Sequence, residues 1–194
     1  PKVYSIDDAS SAYSALKDEG KKPLLVLLEY DENNQKLSRK IQVTNKTVNK
    51  NQIQIAIIGA GAFAQSYHIP NIEKLSDHYS IRSIMGRTGA KAKSISKRCS
   101  AEYATTDYNE ILNDELVDLV LISTRHNLHA EMALQALQAG KNVFVEKPLA
   151  LNSDELLAIE EFYSKTERAP VLMTGYNRRF SPAIIKTKEI LANK

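Results

Sequence analysis

The run from Ile53 to Ala64, Ile-Gln-Ile-Ala-Ile-Ile-Gly-Ala-Gly-Ala-Phe-Ala, constrains the fold of this chain more than any other. An apolar strand pattern breaks at Gly-x-Gly-x-x-Ala and resumes as helix-compatible sequence. Gly59 permits a tight turn, and Gly61 removes the Cβ that would keep a diphosphate away from the backbone. Ala64 is small enough for the new helix to pack on its strand. Ala62 and Phe63 fall where the helix begins, at the unpaired N–H groups and positive dipole end that attract an anion. Such a turn can be purely structural. Here both flanks fit and a succession of βα units follows, so the pattern reads as dinucleotide-binding.

Downstream, strand and helix patterns alternate. After the strand Ile53–Ile58 comes a helix across Phe63–Tyr67, broken by Pro70. The strand Ser80–Met85, the helix Ala90–Cys99 and a short strand near Tyr103 come next. A helix Tyr108–Leu112 precedes the apolar strand Val117–Ser123, which reads as buried on both faces. The helix Leu128–Ala139, the strand Asn142–Val145, the helix Ser153–Thr166 and the strand Pro170–Thr174 complete the series. The expected fold is α/β: a doubly wound, parallel Rossmann sheet with helices on both faces and right-handed crossovers.

Residues 1–50 have another character. Ser5-Ile6-Asp7-Asp8 reads as an N-cap before a short amphipathic helix ended by Gly20. Pro23 to Tyr30 reads as a buried strand, Asp31 to Gln35 as a polar turn, and Thr44 to Gln52 as a linker. With 194 residues there is room for one good core and part of a second domain. A net charge of +3 with mixed signs implies no nucleic-acid stripe. The only cysteine, Cys99, allows no internal disulfide. No long apolar run or signal peptide is present, so a soluble cytoplasmic protein without a membrane partner is expected. The opening at Pro1 suggests an excised or processed segment, the alternative being removal of an initiator Met.

Three further motifs carry a resemblance. Glu146-Lys147-Pro148, directly after a strand, resembles the Glu-Lys-Pro signature of the glucose-fructose oxidoreductase/inositol dehydrogenase (Gfo/Idh/MocA) family. Thr124 to His129 is similar to that family's Thr-Pro-Asn-x-x-His segment, with Arg125 and His126 as departures. Gly175 to Pro182 resembles its crossover into the substrate domain. The resemblance implies an NAD(P)-dependent sugar or cyclitol oxidoreductase, with residues 51–175 as its Rossmann domain and 176–194 as the start of a truncated α/β substrate domain. The acid/base histidine usual in the family would lie outside this chain, leaving a cofactor-binding portion. Residues 1–50 carry a second resemblance, to the C-terminus of zinc-type alcohol dehydrogenases, where a helix with an Ala-Tyr pair (here Ala12-Tyr13) precedes the last strand. This implies the middle of a bidomain bacterial protein, often associated with polysaccharide biosynthesis; the alternative is a private N-terminal extension.

For chemistry, Lys147 is the expected catalytic residue, hydrogen-bonding a substrate hydroxyl or helping to move its proton; an ordinary exposed strand-end pair is the bland alternative for Glu146-Lys147. The second strand ends Gly86-Arg87-Thr88 with no acid to accept ribose hydroxyls. Gly86 leaves room for a 2′-phosphate that Arg87, Thr88 and Lys91 can bind, which favours NADP over NAD. Ser123, Thr124, Glu146, Lys147 and Asn177 are further cofactor-binding candidates. His129 is another, read also as orienting its loop. His126 and His129 invite a metal reading, but no third ligand has convincing spacing, so none is expected. Arg178 and Arg179 suit a substrate carboxylate or phosphate, or a scaffold role. His68 reads as a helix-end residue capping carbonyls, Phe63 and Tyr67 as packing residues, and Cys99 as an inert thiol. The competing function is a non-catalytic dinucleotide-sensing module inside a larger polypeptide.

Overall fold

The computed structural model describes residues 2–17, 20, 23–30, 38–45, 49 and 51–192. The expected turn at Asp31 to Gln35 lies outside them. The chain forms two compact units, residues 1–38 and 39–194.

In the first unit, β1 (Lys2–Ser5) pairs in parallel with β2 (Val26–Glu29), joined through α1 (Ala9–Ala15). The Ser5 side chain accepts from the Asp7 N–H, as its sequence position implies. Two expectations change here. The helix ends at Ala15, before Gly20. The strand is shorter than Pro23 to Tyr30 and is not buried, with Leu25 52% and Leu27 44% exposed. A ribbon of two strands offers too few neighbours to cover both of its faces.

The second unit holds a sheet in the order β3-β6-β5-β4-β7-β8-β9. Its strands are β3 (Lys40–Gln42), β4 (Ile53–Ile58), β5 (Tyr79–Met85), β6 (Tyr103–Thr105), β7 (Leu119–Ile122), β8 (Asn142–Glu146) and β9 (Leu172–Gly175). All pairings are parallel except β3 with β6. This is the expected α/β Rossmann sheet. The β3 strand falls inside the stretch assigned to residues 1–50, so the compact unit begins ahead of that boundary. Its pairing with Tyr103–Thr105 is a tertiary choice that three residues of sequence do not announce.

β4 sits at the centre because its residues are apolar on both sides: Ala56, Ile57 and Ile58 are essentially inaccessible. Each isoleucine so buried contributes about 1.5–3 kcal/mol. On one face Ile55, Ile57, Ile81 and Ile84 meet α2 (Ile69–Lys74) and α3 (Gly89–Arg98) through Ile69, Ala92 and Ile95. On the other, Ile58, Val120, Ile122, Val143 and Val145 meet Met132, Ala133, Ala136 and Leu137 of α5 (His129–Gln138). The short α4 (Asn109–Leu112) buries Ile111 in the same layer. α6 (Ser153–Lys165), N-capped by Asn152, adds Phe162 and Tyr163 there. The chain leaves β9 through a 3-10 turn (Asn177–Phe180) into α7 (Pro182–Ala192).

Pro70 does not break the first helix. A π-helical turn (Ala64–His68) runs straight into α2, and Pro70 occupies the first turn of that segment, where its missing N–H is tolerated. Among the described residues, no helix is long and apolar enough to cross a membrane.

Candidate functional site

In a parallel sheet, helix starts and connecting loops gather at the carboxyl ends of the strands, and the order reverses between β5 and β7 on either side of β4. Gly59, directly after β4, has φ +80°, and an added Cβ would lie 2.8 Å from Ser123 O and from Thr124 Cγ2. Glycine is required twice over: by the left-handed backbone and by the close approach of the β7 loop. At Gly61 the situation is opposite. The nearest atom to an added Cβ is Gly59 O at 3.8 Å, so the protein leaves open the volume that the side chain would take.

Helical backbone begins at Ala62, whose first N–H groups have no intrahelical acceptor. Ala64 is fully buried and packs the helix onto its strand. An open cradle beside a helix start fits a diphosphate. Gln65 fixes this turn from below, donating to Ala60 O at 2.8 Å while accepting from Arg98 at 2.7 Å.

At the end of β5, a Cβ on Gly86 would stand 3.3 Å from the Ala92 Cβ. The close packing of α3 therefore gives this glycine a second reason, beside the space for a 2′-phosphate that its sequence position suggests. Arg87, Thr88 and Lys91 are exposed. Thr88 stands at the N-cap of α3, yet its hydroxyl makes no capping bond. Arg87 and Lys91 have no partner among the described residues.

After β7, Ser123 and Thr124 are half-buried and Arg125 and His126 exposed. His129 is 1% exposed, with Nδ1 2.7 Å from Pro148 O and Nε2 3.3 Å from Thr124 O. Both contacts are to carbonyl oxygens, which only accept, so the shorter one is a bond donated by Nδ1–H to Pro148 O. His129 thus fastens the loop after β8 to the loop after β7. Being buried, it offers no surface to a cofactor, so its reading as a cofactor contact is corrected to the loop-orienting one. The rings of His126 and His129 are 5.5 Å apart. No three metal-ligating side chains converge among the described residues.

Glu146 ends β8, and Lys147 follows, exposed, with a cis bond to Pro148. His68 does not cap carbonyls: its Nε2 lies 2.8 Å from the Glu146 carboxylate, with both side chains largely buried. A Cβ on Gly175, opposite Glu146 on β9, would come within 3.1 Å of that carboxylate. Glycine there leaves the acid its place. The partnership of His68, Glu146 and Gly175 was not legible beforehand; the His68 position in the helix after the glycine turn was the one available signal. Phe63 and Tyr67 are exposed rather than packed in the core, and stack at 4.9 Å, with Phe63 also 5.3 Å from His68.

Beyond β9, Asn177, Arg178 and Arg179 are all exposed. Arg179 donates to Tyr176 O at 3.2 Å and lies over the Tyr176 ring, a scaffold role, whereas the Arg178 side chain has no partner among the described residues. Cys99 is buried, and burial pushes its thiol pKa up, which leaves it inert as expected.

Residues 53–176 match the GFO_IDH_MocA family, an oxidoreductase family with an NAD-binding Rossmann fold. An uncharacterized oxidoreductase of Bacillus subtilis, YrbE, is 34% identical over 73% of this chain and 40% of its own length. Myo-inositol 2-dehydrogenase of Thermotoga maritima is 32% identical over 73% of this chain and 41% of its own. Among solved structures, KijD10, a 3-ketoreductase from Actinomadura kijaniata in complex with NADP and TDP-benzene, superposes with a TM-score of 0.66 at 26% identity, covering 74% of this chain and 43% of that one. The chain spans about two fifths of the length of these curated relatives.

Proposed function

Because the chain belongs to the GFO_IDH_MocA oxidoreductase family, we propose that residues 51–175 hold a nicotinamide dinucleotide for an enzyme acting on a sugar or cyclitol. The observation that carries this reading is the open cradle at Gly61, at a helix start, with Lys147 presented two strands away at the end of β8. The bound nicotinamide supplies the hydride exchanged with a hydroxyl or ketone carbon.

The remaining work falls to the chain's own residues. Gly59, Gly61, Ala62, Phe63 and Ala64 form the diphosphate turn, and Ser123 and Thr124 form its opposite wall. Lys147, without a side-chain partner among the described residues, holds the proton of the substrate oxygen or passes it on. His129, through Pro148 O, and His68, through Glu146, hold the loop that carries it. Asn177 lines the exit of β9.

The cofactor is NADP(H) in preference to NAD(H). Supporting this, Met85-Gly86-Arg87-Thr88 has no acid for ribose hydroxyls, and Arg87, Thr88 and Lys91 present unused donors. KijD10 was solved with NADP.

Residues 176–194 begin the substrate domain. The first unit, in the order β1, α1, β2, is the end of an alcohol-dehydrogenase-like half that precedes it in a bidomain cytoplasmic protein. A calorimetric titration with NADPH and NADH tests the cofactor site. NADPH should bind at least tenfold more tightly, and Arg87→Ala should abolish that preference. Equal affinities would defeat the assignment, and binding of neither would defeat the site.

A further inference from the structure

The carboxyl edge of the sheet holds more positive charge than a dinucleotide turn needs. β7, β8 and β9 are consecutive neighbours, spaced about 4.8 Å apart. Each delivers an exposed cation within a few residues of its end: Arg125 after β7, Lys147 after β8 and Arg178 after β9. None of the three has a hydrogen-bonded or ionic side-chain partner among the described residues.

The acids of the same edge are engaged or set apart. Glu146 is bonded to His68, and Asp107 faces Arg39 at 3.5 Å. Glu155 accepts from the Leu151 N–H and from Asn152. Asp154 lies in the first turn of α6, where a negative charge favours the helix end. Arg125 stands at one of the departures from Thr-Pro-Asn-x-x-His, where the family pattern carries no charge.

Resting on the cofactor reading above, we propose that the substrate is an anionic sugar, one whose carboxylate or phosphate is received by Arg125 and Arg178 on either side of Lys147. Gathered like charges repel, and solvent screens them in the free protein; an anion entering between them is drawn by all three. A guanidinium offers a planar fork that matches carboxylate or phosphate oxygens two at a time, which an ammonium does not. Arginines flanking a lysine therefore divide the work: the forks hold the anionic group, and the lysine remains for the reacting hydroxyl. The 2′-phosphate of a cofactor is accounted for separately, by Arg87 across the sheet at the end of β5.

The test is calorimetry on the full-length protein loaded with NADPH, titrated with glucose, glucuronate and glucose 6-phosphate. One of the two anions should bind at least tenfold more tightly than glucose, and which one does so tells carboxylate from phosphate. Arg178→Ala and Arg125→Ala should each cost that anion about tenfold while NADPH affinity stays unchanged. Glucose binding as tightly as both anions overturns the proposal, as does an anion affinity indifferent to both substitutions, or no measurable binding of either anion. Loss of NADPH affinity alone in Arg125→Ala would make that arginine a cofactor contact and likewise overturn it. If NADPH itself does not bind, the cofactor reading falls. The same titrations without cofactor then decide the anion site by the loss in Arg178→Ala.

Discussion

The two edges of the large sheet treat charge in opposite ways. At the amino-terminal edge, cations are matched within the protein. Arg82, 7% exposed, donates from Nε to Asp114 at 2.7 Å and from Nη1 to Glu102, while Lys141 donates to Asp114 O at 2.7 Å. Burial works against the Asp114 carboxylate, yet hydrogen bonds from Arg82 and Tyr103 hold its pKa below the ordinary 3.8. At the carboxyl edge Arg87, Lys91, Arg125, Lys147 and Arg178 have no partner among the described residues. Charges matched inside the chain hold the sheet together, whereas unmatched ones at the strand ends add nothing to stability until something anionic arrives. One edge spends its charge inside the chain, and the other keeps it exposed, which is what the proposed binding role calls for.

Substitutions should keep these roles apart. The largest effect is expected at Lys147→Ala. Turnover by the full-length protein should fall about 100- to 10,000-fold, with NADPH affinity and melting temperature nearly unchanged; wild-type turnover would remove Lys147 from the chemistry. Asp114→Asn should do the reverse. Leaving Arg82 with one carboxylate should cost about 3 kcal/mol in denaturant unfolding, with cofactor affinity per folded molecule preserved.

The pH dependence follows from the same depressed pKa. Its stabilisation is fully present above the unfolded value and is lost as pH falls through the lower, folded one. Unfolding midpoints should therefore drop below about pH 4 in the wild type, and less steeply in Asp114→Asn. A wild-type profile flat through that range would sink this account.

The smallest effect is expected at Gly175→Ala. Its Cβ would stand 3.1 Å from the Glu146 carboxyl group, which must give by a few tenths of an ångström, so the cost should be about 1 kcal/mol. The His68–Glu146 contact should shift, visible as a changed His68 ring signal by NMR; an unaltered signal would show that the carboxylate does not need that space.

The Rossmann elements were legible because each depends on local pattern. Ile53–Ile58 carries nothing polar but Gln54, and Leu119 to Ile122 is too apolar to face water on either side. What escaped depended on partners distant in sequence. β3 is a strand because Tyr103–Thr105 lies beside it. Gly86 is small because Ala92 packs there, and Gly175 because Glu146 does. Pro70 looked like a helix stop until the π-helical turn ahead of it moved it into a first turn.

By itself the sequence determined the βα succession, the glycine turn and the residues available at the strand ends, since these follow from periodicity, backbone freedom and side-chain chemistry within a few positions. The tertiary structure decided which of them remain unmatched. His68 engages Glu146, His129 is enclosed between two carbonyls, and Arg82 disappears between two carboxylates, while Lys147, Arg125 and Arg178 have no side-chain partner among the described residues. Partnership is a property of distance in space, which only the closed sheet sets.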